Sequence, residues 1–179
     1  MDFQKQLGKI FKCDIDTSND TLAKYSHDAS IFEVRPQCVI YPKDSADVQA
    51  IVGWVADNKK SHPELAITCR CAGTDMSGGA IGESIIMDFS KYMNKVIAFP
   101  HTNSSITVEP GMFYRDFEKI TLEKGLLLPC YTASKNLNAV GGMFGNNSAG
   151  ERTLQYGKTE DYILRSKVVF GDGNEYVVE

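Results

Sequence analysis

Arg70-Cys71-Ala72-Gly73-Thr74-Asp75-Met76-Ser77-Gly78-Gly79-Ala80-Ile81-Gly82 is the stretch around which the rest of the chain is arranged. It follows an apolar run, Leu65-Ala66-Ile67-Thr68-Cys69, that reads as a short buried strand, and a second run, Ile85-Ile86-Met87, begins almost at once. No room remains for a helix between them. Residues without bulky side chains let the backbone pass close to a ligand and leave N–H groups free to point at it. The reading this favours is a loop that holds a diphosphate through its amides. The alternative is a glycine-rich hairpin connection with no ligand.

Two familiar nucleotide motifs do not fit the stretch. A Walker A loop needs Lys after its last glycine, whereas Gly78 is followed by Gly79 and Ala80. The G-x-G-x-x-G fingerprint must open a helix within a strand–helix–strand unit. Gly73-Thr74-Asp75 breaks that spacing, and the next element reads as a strand.

Composition narrows the classes. A chain of 179 residues fits one domain or two small ones, and its 42% apolar content suffices for an ordinary core. A net charge of −4 gives no electrostatic case for a nucleic-acid surface. No apolar run is long enough for a transmembrane helix, and Met1-Asp2-Phe3-Gln4-Lys5 is not a secretory leader, so a soluble cytoplasmic protein is expected. Five cysteines, an odd number, fit a reducing compartment. Cys69-Arg70-Cys71 has no nearby His, and its side chains alternate faces on a strand, which argues against a metal site. Cys13, Cys38 and Cys130 read as packed thiols.

In chain order, a short helix is expected over Phe3–Phe11, then a polar break at Asp16–Asp20 capping a turn over Leu22–Tyr25. Asp28–Pro36 reads as extended before its proline. Cys38–Tyr41 is a strand stopped by Pro42, and Asp44 or Ser45 caps a helix carrying Val48, Ile51, Val52 and Val55 on one face. Beyond the glycine loop, Val96–Phe99 is expected to pair with Ile106–Glu109 across Pro100-His101-Thr102-Asn103. Pro110-Gly111 breaks the chain, and a helix with Phe113, Phe117 and Ile120 ends at Gly125. The last segment reads as a hairpin turning at Gly171-Asp172-Gly173-Asn174. Elements mix without strict alternation, which favours α+β.

A second informative stretch runs from Tyr131 to Gly150. Gly141-Gly142 can begin a short helix whose free N–H groups meet a phosphate or a ring carbonyl. Asn146, Asn147 and Ser148 add neutral donors and acceptors suited to the edge of a heterocycle. The competing reading is a glycine-punctuated loop and helix cap. Two such stretches in one small domain point to one extended ligand lying across both.

Arg70–Gly82, Pro110-Gly111, Gly141–Gly150 and Tyr156-Gly157-Lys158-Thr159 with Asp161 together resemble the FAD-binding domain of the vanillyl-alcohol oxidase and p-cresol methylhydroxylase superfamily. Within it, the pattern is most similar to the large FAD and iron–sulphur oxidoreductases related to D-lactate and glycolate dehydrogenases. Asp28-Ala29-Ser30-Ile31, Arg35-Pro36, Tyr41-Pro42, Ala46-Asp47-Val48 and Asp172-Gly173 add to the likeness. It implies a PCMH-type α+β domain over residues 37–179 behind an N-terminal segment, 1–36. It also implies two small α+β subdomains with FAD between them, in a domain expected to continue beyond Glu179.

The family's R-G-G-G-T-S-x-x-G pyrophosphate loop falls on Arg70, Cys71, Ala72, Gly73, Thr74, Asp75, Met76, Ser77 and Gly78. Its P-S-S element falls on Thr132-Ala133-Ser134, retaining only Ser134. Its G-G-x-x-x-N-N segment falls on Gly141, Gly142, Asn146 and Asn147, with Gly150 closing it. Cys71 and Ala72 replace glycines, and Asp75 replaces a serine. A carboxylate beside a diphosphate is repelled unless it is turned away or screened. Thr74 stands where flavin-attaching relatives have histidine, so the resemblance implies non-covalent FAD.

The resemblance further implies a parent oxidoreductase acting on a small 2-hydroxy acid, with its substrate domain and any iron–sulphur cluster in chain beyond Glu179. No catalytic residue is assigned. His27, His62 and His101 lie in polar or turn contexts, and Tyr156 and Arg152 can border the flavin or serve a surface or packing role. A flavin-free binding or scaffold module and an NADPH-fed reductase of cell-wall precursors are the competing readings.

Overall fold

The computed structural model describes residues 7–8, 11–100 and 104–179. A four-stranded sheet forms the first half: β1 (Asp14–Asp16), β2 (Cys38–Tyr41), β3 (Ile67–Arg70) and β4 (Ile85–Asp88), in spatial order β1-β2-β4-β3. β2 and β3 both run parallel to β4, with Val39 opposite Ile86 and Ile67 opposite Ile85. β1 closes the far edge antiparallel to β2. A glycine-rich hairpin between β3 and β4 is therefore excluded. Residues 71–84 are a helix-free crossover between adjacent parallel strands, and such a crossover needs about a dozen residues or more.

The inner strands are buried along their whole length because both faces are covered. On one face Cys38, Ile40, Ile85 and Met87 pack with Leu7, Phe11, Cys13 and Leu65. The same cluster takes in Ile51 from the helix α2 (Ser45–Asn58). On the other face Val39, Tyr41 and Ile86 meet Leu22 and Tyr25 of α1 (Asn19–Tyr25). Asp44 caps α2, its carboxylate accepting the Asp47 amide at 2.9 Å. Asp47 in turn accepts from the Lys43 amide at 2.9 Å. Replacing Asp44 with alanine should lower stability by about 1 kcal/mol. The readout is a lower urea midpoint at unchanged slope.

A second core holds Met112, Tyr114, Phe117 and Met143. Around it lie β5 (Val96–Ala98), β6 (Thr107–Val108), α3 (Tyr114–Leu122) and α4 (Val140–Gly145). β5 and β6 pair antiparallel as expected, although the turn residues 101–103 lie outside the described set. Gly111 joins the halves: its amide donates to Met93 O at 2.8 Å. The first half thus carries a cluster on each face of its sheet and the second half carries its own, in a mixed α+β arrangement.

The chain continues through α5 (Thr153–Tyr156) and a 3-10 turn (Thr159–Tyr162) to the antiparallel hairpin β7 (Ser166–Val169) and β8 (Glu175–Val178). The hairpin turns at the expected place, with Gly173 at φ +79°. Most of the expected helix over Phe3–Phe11 lies outside the described residues, but Leu7 and Gly8 are helical and Leu7 is fully buried. Cys13, Cys38 and Cys130 are buried thiols. Three elements had no sequence signal: β1, α5 and the 3-10 turn.

Candidate functional site

Arg70, the last residue of β3, fixes both ends of the glycine loop from beneath. Its guanidinium donates to the carbonyls of His27 at 2.8 Å and Ala80 at 3.1 Å. It also lies 5.0 Å from the centre of the Tyr25 ring. The Tyr25 hydroxyl donates to the carboxylate of Asp88, which is buried at the end of β4 and also accepts from the amide and hydroxyl of Ser90. Burial lowers the Arg70 pKa, while burial and Asp88 push the Tyr25 phenol well up. The loop thus rests on an aromatic and charged base, with Arg70 directly beneath Gly73.

Above that base the chain turns through Gly73 at φ +67° and Gly78 at φ +88°, a region open to glycine and strained for other residues. Among the described residues, the amides of Gly73, Thr74, Met76 and Gly78 find no acceptor. Met76 and Ser77 are exposed. Segment 28–30 braces the loop's flank. Asp28 accepts the Ala80 amide at 3.4 Å, and the Ala29 amide donates to Asp75 O at 3.1 Å.

The two glycine-rich stretches meet at two places. Cys71 donates its thiol hydrogen to Pro110 O at 3.4 Å, and the Gly141 amide donates to the same carbonyl at 2.7 Å. Burial, reinforced by Asp88 and Cys69, pushes the Cys71 thiol up to about 12, and the Gly142 amide opposes that shift. A Cβ on Gly141 would lie 2.7 Å from Pro110 O, whereas one on Gly142 would meet open space. Gly141 is therefore a packing glycine, and Gly142 presents bare backbone outward. At the second meeting point, Asn146 donates its side-chain amide to Asp75 at 3.1 Å.

The other expected residues have local partners. Ser134 and Thr132 share a hydroxyl contact of 2.9 Å, and Thr132 accepts from Asn138 at 2.8 Å. Asn147, at φ 44°, accepts the Glu160 amide at 3.1 Å and so anchors the 3-10 turn. Gly150 is needed for close packing, since a Cβ there would lie 1.9 Å from Tyr131 O. Exposed His27 and partly exposed His62 each face a carboxylate, at 3.6 Å from Glu33 and 3.2 Å from Glu64. His101 lies outside the described residues.

Neither Asp28, quoted above only as part of Asp28-Ala29-Ser30-Ile31, nor Asn138 was among the expected site residues. Asn138 is 4% exposed and its Oδ1 has no partner, an unanswered acceptor beside the Thr132–Ser134 corner. Its signal was position alone, since it sits within the second stretch. No group of three or more His, Cys, Asp or Glu that could hold a metal ion occurs among the described residues. No helix among them is long and apolar enough to cross a membrane.

Residues 36–179 match the family model described as FAD binding domain. D-2-hydroxyglutarate dehydrogenase of Escherichia coli (strain K12) is 30% identical over 92% of this chain and 16% of its own length. The glycolate oxidase subunit GlcD of Bacillus subtilis (strain 168) is 30% identical over 89% of this chain and 33% of its own. The chain thus spans a third or less of these relatives. Among solved structures, an alkyldihydroxyacetonephosphate synthase superposes with TM-score 0.82 at 18% identity, over 99% of this chain and 34% of that one. A chitooligosaccharide oxidase superposes with TM-score 0.79 at 18% identity, over 98% of this chain and 36% of that one. At that identity the structural likeness concerns the fold.

Proposed function

The chain belongs to the FAD-binding domain family, and from that membership we propose that it is the cofactor-holding part of a flavin-dependent oxidoreductase whose full-length form oxidises a small 2-hydroxy acid. The observation that carries this reading is the meeting of the two glycine-rich stretches. The amides of Gly73, Thr74, Met76 and Gly78 find no acceptor among the described residues, and Asn146 of the second stretch reaches the same loop at Asp75, 3.1 Å away.

The residues fit the dinucleotide in kind. Amides of Gly73, Thr74, Met76 and Gly78 are donors for phosphate oxygens, and Ser77 adds a hydroxyl. Gly142, Asn146 and Asn147 supply backbone and amide groups for the flavin edge and ribityl chain, with Ser134 and the unanswered Asn138 oxygen nearby. Cys71 and Gly141 meet at the Pro110 carbonyl, Gly150 packs against Tyr131, and Arg70 positions the loop, with Ala72 beside Cys71 in the chain. Thr74 offers no ring nitrogen for attachment, so the cofactor is held without a covalent bond. Bound FAD supplies the two-electron acceptor for the hydrogen on the substrate's alcohol carbon. The names of the hydroxy-acid dehydrogenase and oxidase relatives support that substrate class. All five cysteines are free, which fits a reducing compartment such as the cytoplasm.

The chain purified from a flavin-replete host should be yellow, or should be stabilised on adding FAD. Ligand at a hundred times its Kd stabilises by about 2.7 kcal/mol, which raises the melting temperature of a domain this size by roughly 5–10 °C. A colourless chain whose melting temperature ignores FAD would overturn the reading. That outcome would favour a flavin-free binding module on the same fold, a reading to which the internal bonds of Asp75 lend weight.

A further inference from the structure

Resting on the flavin reading, we propose that Asp75 is a built-in anion of the phosphate loop, one that FAD must displace before it can bind. Three donors converge on this one carboxylate. The Gly79 amide donates to Oδ2, and the Ser77 hydroxyl lies 3.1 Å and 3.0 Å from the two oxygens. Asn146, 71 residues further along, donates to Oδ1 at 3.1 Å. These are the donor types a phosphate uses, and they sit where the two glycine-rich stretches meet. A carboxylate and a phosphate oxygen compete for them as equivalent acceptors.

The Gly79 amide, and then the Ser77 and Asn146 donors, hold the Asp75 carboxyl below the usual range, so it is charged at neutral pH. A diphosphate that takes these donors has to expel the carboxylate, and one that leaves them in place has to sit beside its charge. The same carboxylate ties the loop to Asn146. Asp75 thus competes with the diphosphate for these donors.

The test compares the native chain with Asp75→Asn and Asp75→Ser. Asparagine keeps an acceptor oxygen and removes only the charge; serine removes both charge and reach. Both variants should bind FAD at least tenfold tighter, or 1.4 kcal/mol, by quenching of flavin fluorescence. Native-like affinity in both variants overturns the proposal and leaves the flavin reading standing. Weaker binding in Asp75→Ser, restored in Asp75→Asn, also overturns it, because it would make the residue a support for Asn146.

Should none of the three bind FAD, the flavin reading fails, and inorganic pyrophosphate decides the proposal independently. In nitrogen-15-labelled protein, pyrophosphate should shift the Gly79 and Asn146 amide signals of Asp75→Ser at one tenth of the concentration the native chain requires or less. Equal concentrations, or no shift in either chain, overturn the proposal.

Discussion

Gly111→Ala is expected to cost about 3–5 kcal/mol, a large share of the stability of a domain this size. A Cβ at this position would lie 2.2 Å from the carbonyl oxygen of Phe89 and 2.7 Å from that of Met93. Both are main-chain atoms in the segment that ends the first subdomain, and they have no rotamer to escape into. The Gly111 amide also bonds Met93 O at 2.8 Å, so the two chain segments cannot separate without losing that bond. Gly125 provides the control. Its φ of +69° strains any other residue, but open space surrounds its missing side chain. Gly125→Ala should therefore cost only the left-handed strain of about 1–2 kcal/mol. Urea unfolding of both variants makes the comparison, and equal losses would show that the junction is not as tightly packed as described.

The parts of the fold that were legible before the structure are those whose signal is local. A cap at Asp44 or Ser45 could be read because short oxygen-bearing side chains accept a first-turn amide, and Asp44 is the one that does so, at 2.9 Å. The hairpin at Gly171–Asn174 and the pairing of β5 with β6 follow from turn chemistry flanked by β-formers. Parallel pairing carries no such signal. Ile67 opposite Ile85 is decided by which faces α1 and α2 cover, so the connection over residues 71–84 could not be told from a hairpin by composition. β1 was missed because Asp14-Ile15-Asp16 has one apolar residue and two carboxylates. Asp14 is held in place by Lys91 and Tyr92, far away in sequence. The site divides the same way. Glycine-rich backbone announced the two walls, whereas the role of Asp75 depends on Asn146, 71 residues away. The structural duty of Gly141 likewise depends on Pro110.

Arg70→Ala is expected to cost about 2–4 kcal/mol and to weaken FAD binding at least tenfold, and the first loss distinguishes two roles for this residue. Hydrogen bonds to a charged donor contribute about 1.5–3 kcal/mol, and a cation over an aromatic ring adds about 0.5–1. Arg70 makes both kinds of contact, to the carbonyls of His27 and Ala80 and to the Tyr25 ring. Part of that gain is offset because the guanidinium is half-buried and desolvated. A residue that only touched the diphosphate would, when truncated, lower affinity and leave the empty protein as stable as before. Arg70 instead ties the start of the loop to residue 80 near its end, so its removal should loosen the empty loop as well. Arg70→Lys sharpens the comparison. A lysine keeps the charge, but its shorter reach and compact ammonium do not reproduce a planar guanidinium that lies over the Tyr25 ring while its Nη1 donates to both carbonyls. It should recover less than half of the lost stability. Full recovery of both stability and FAD affinity in Arg70→Lys would mean that charge alone matters, and that the residue acts on the phosphates rather than on the loop that holds them.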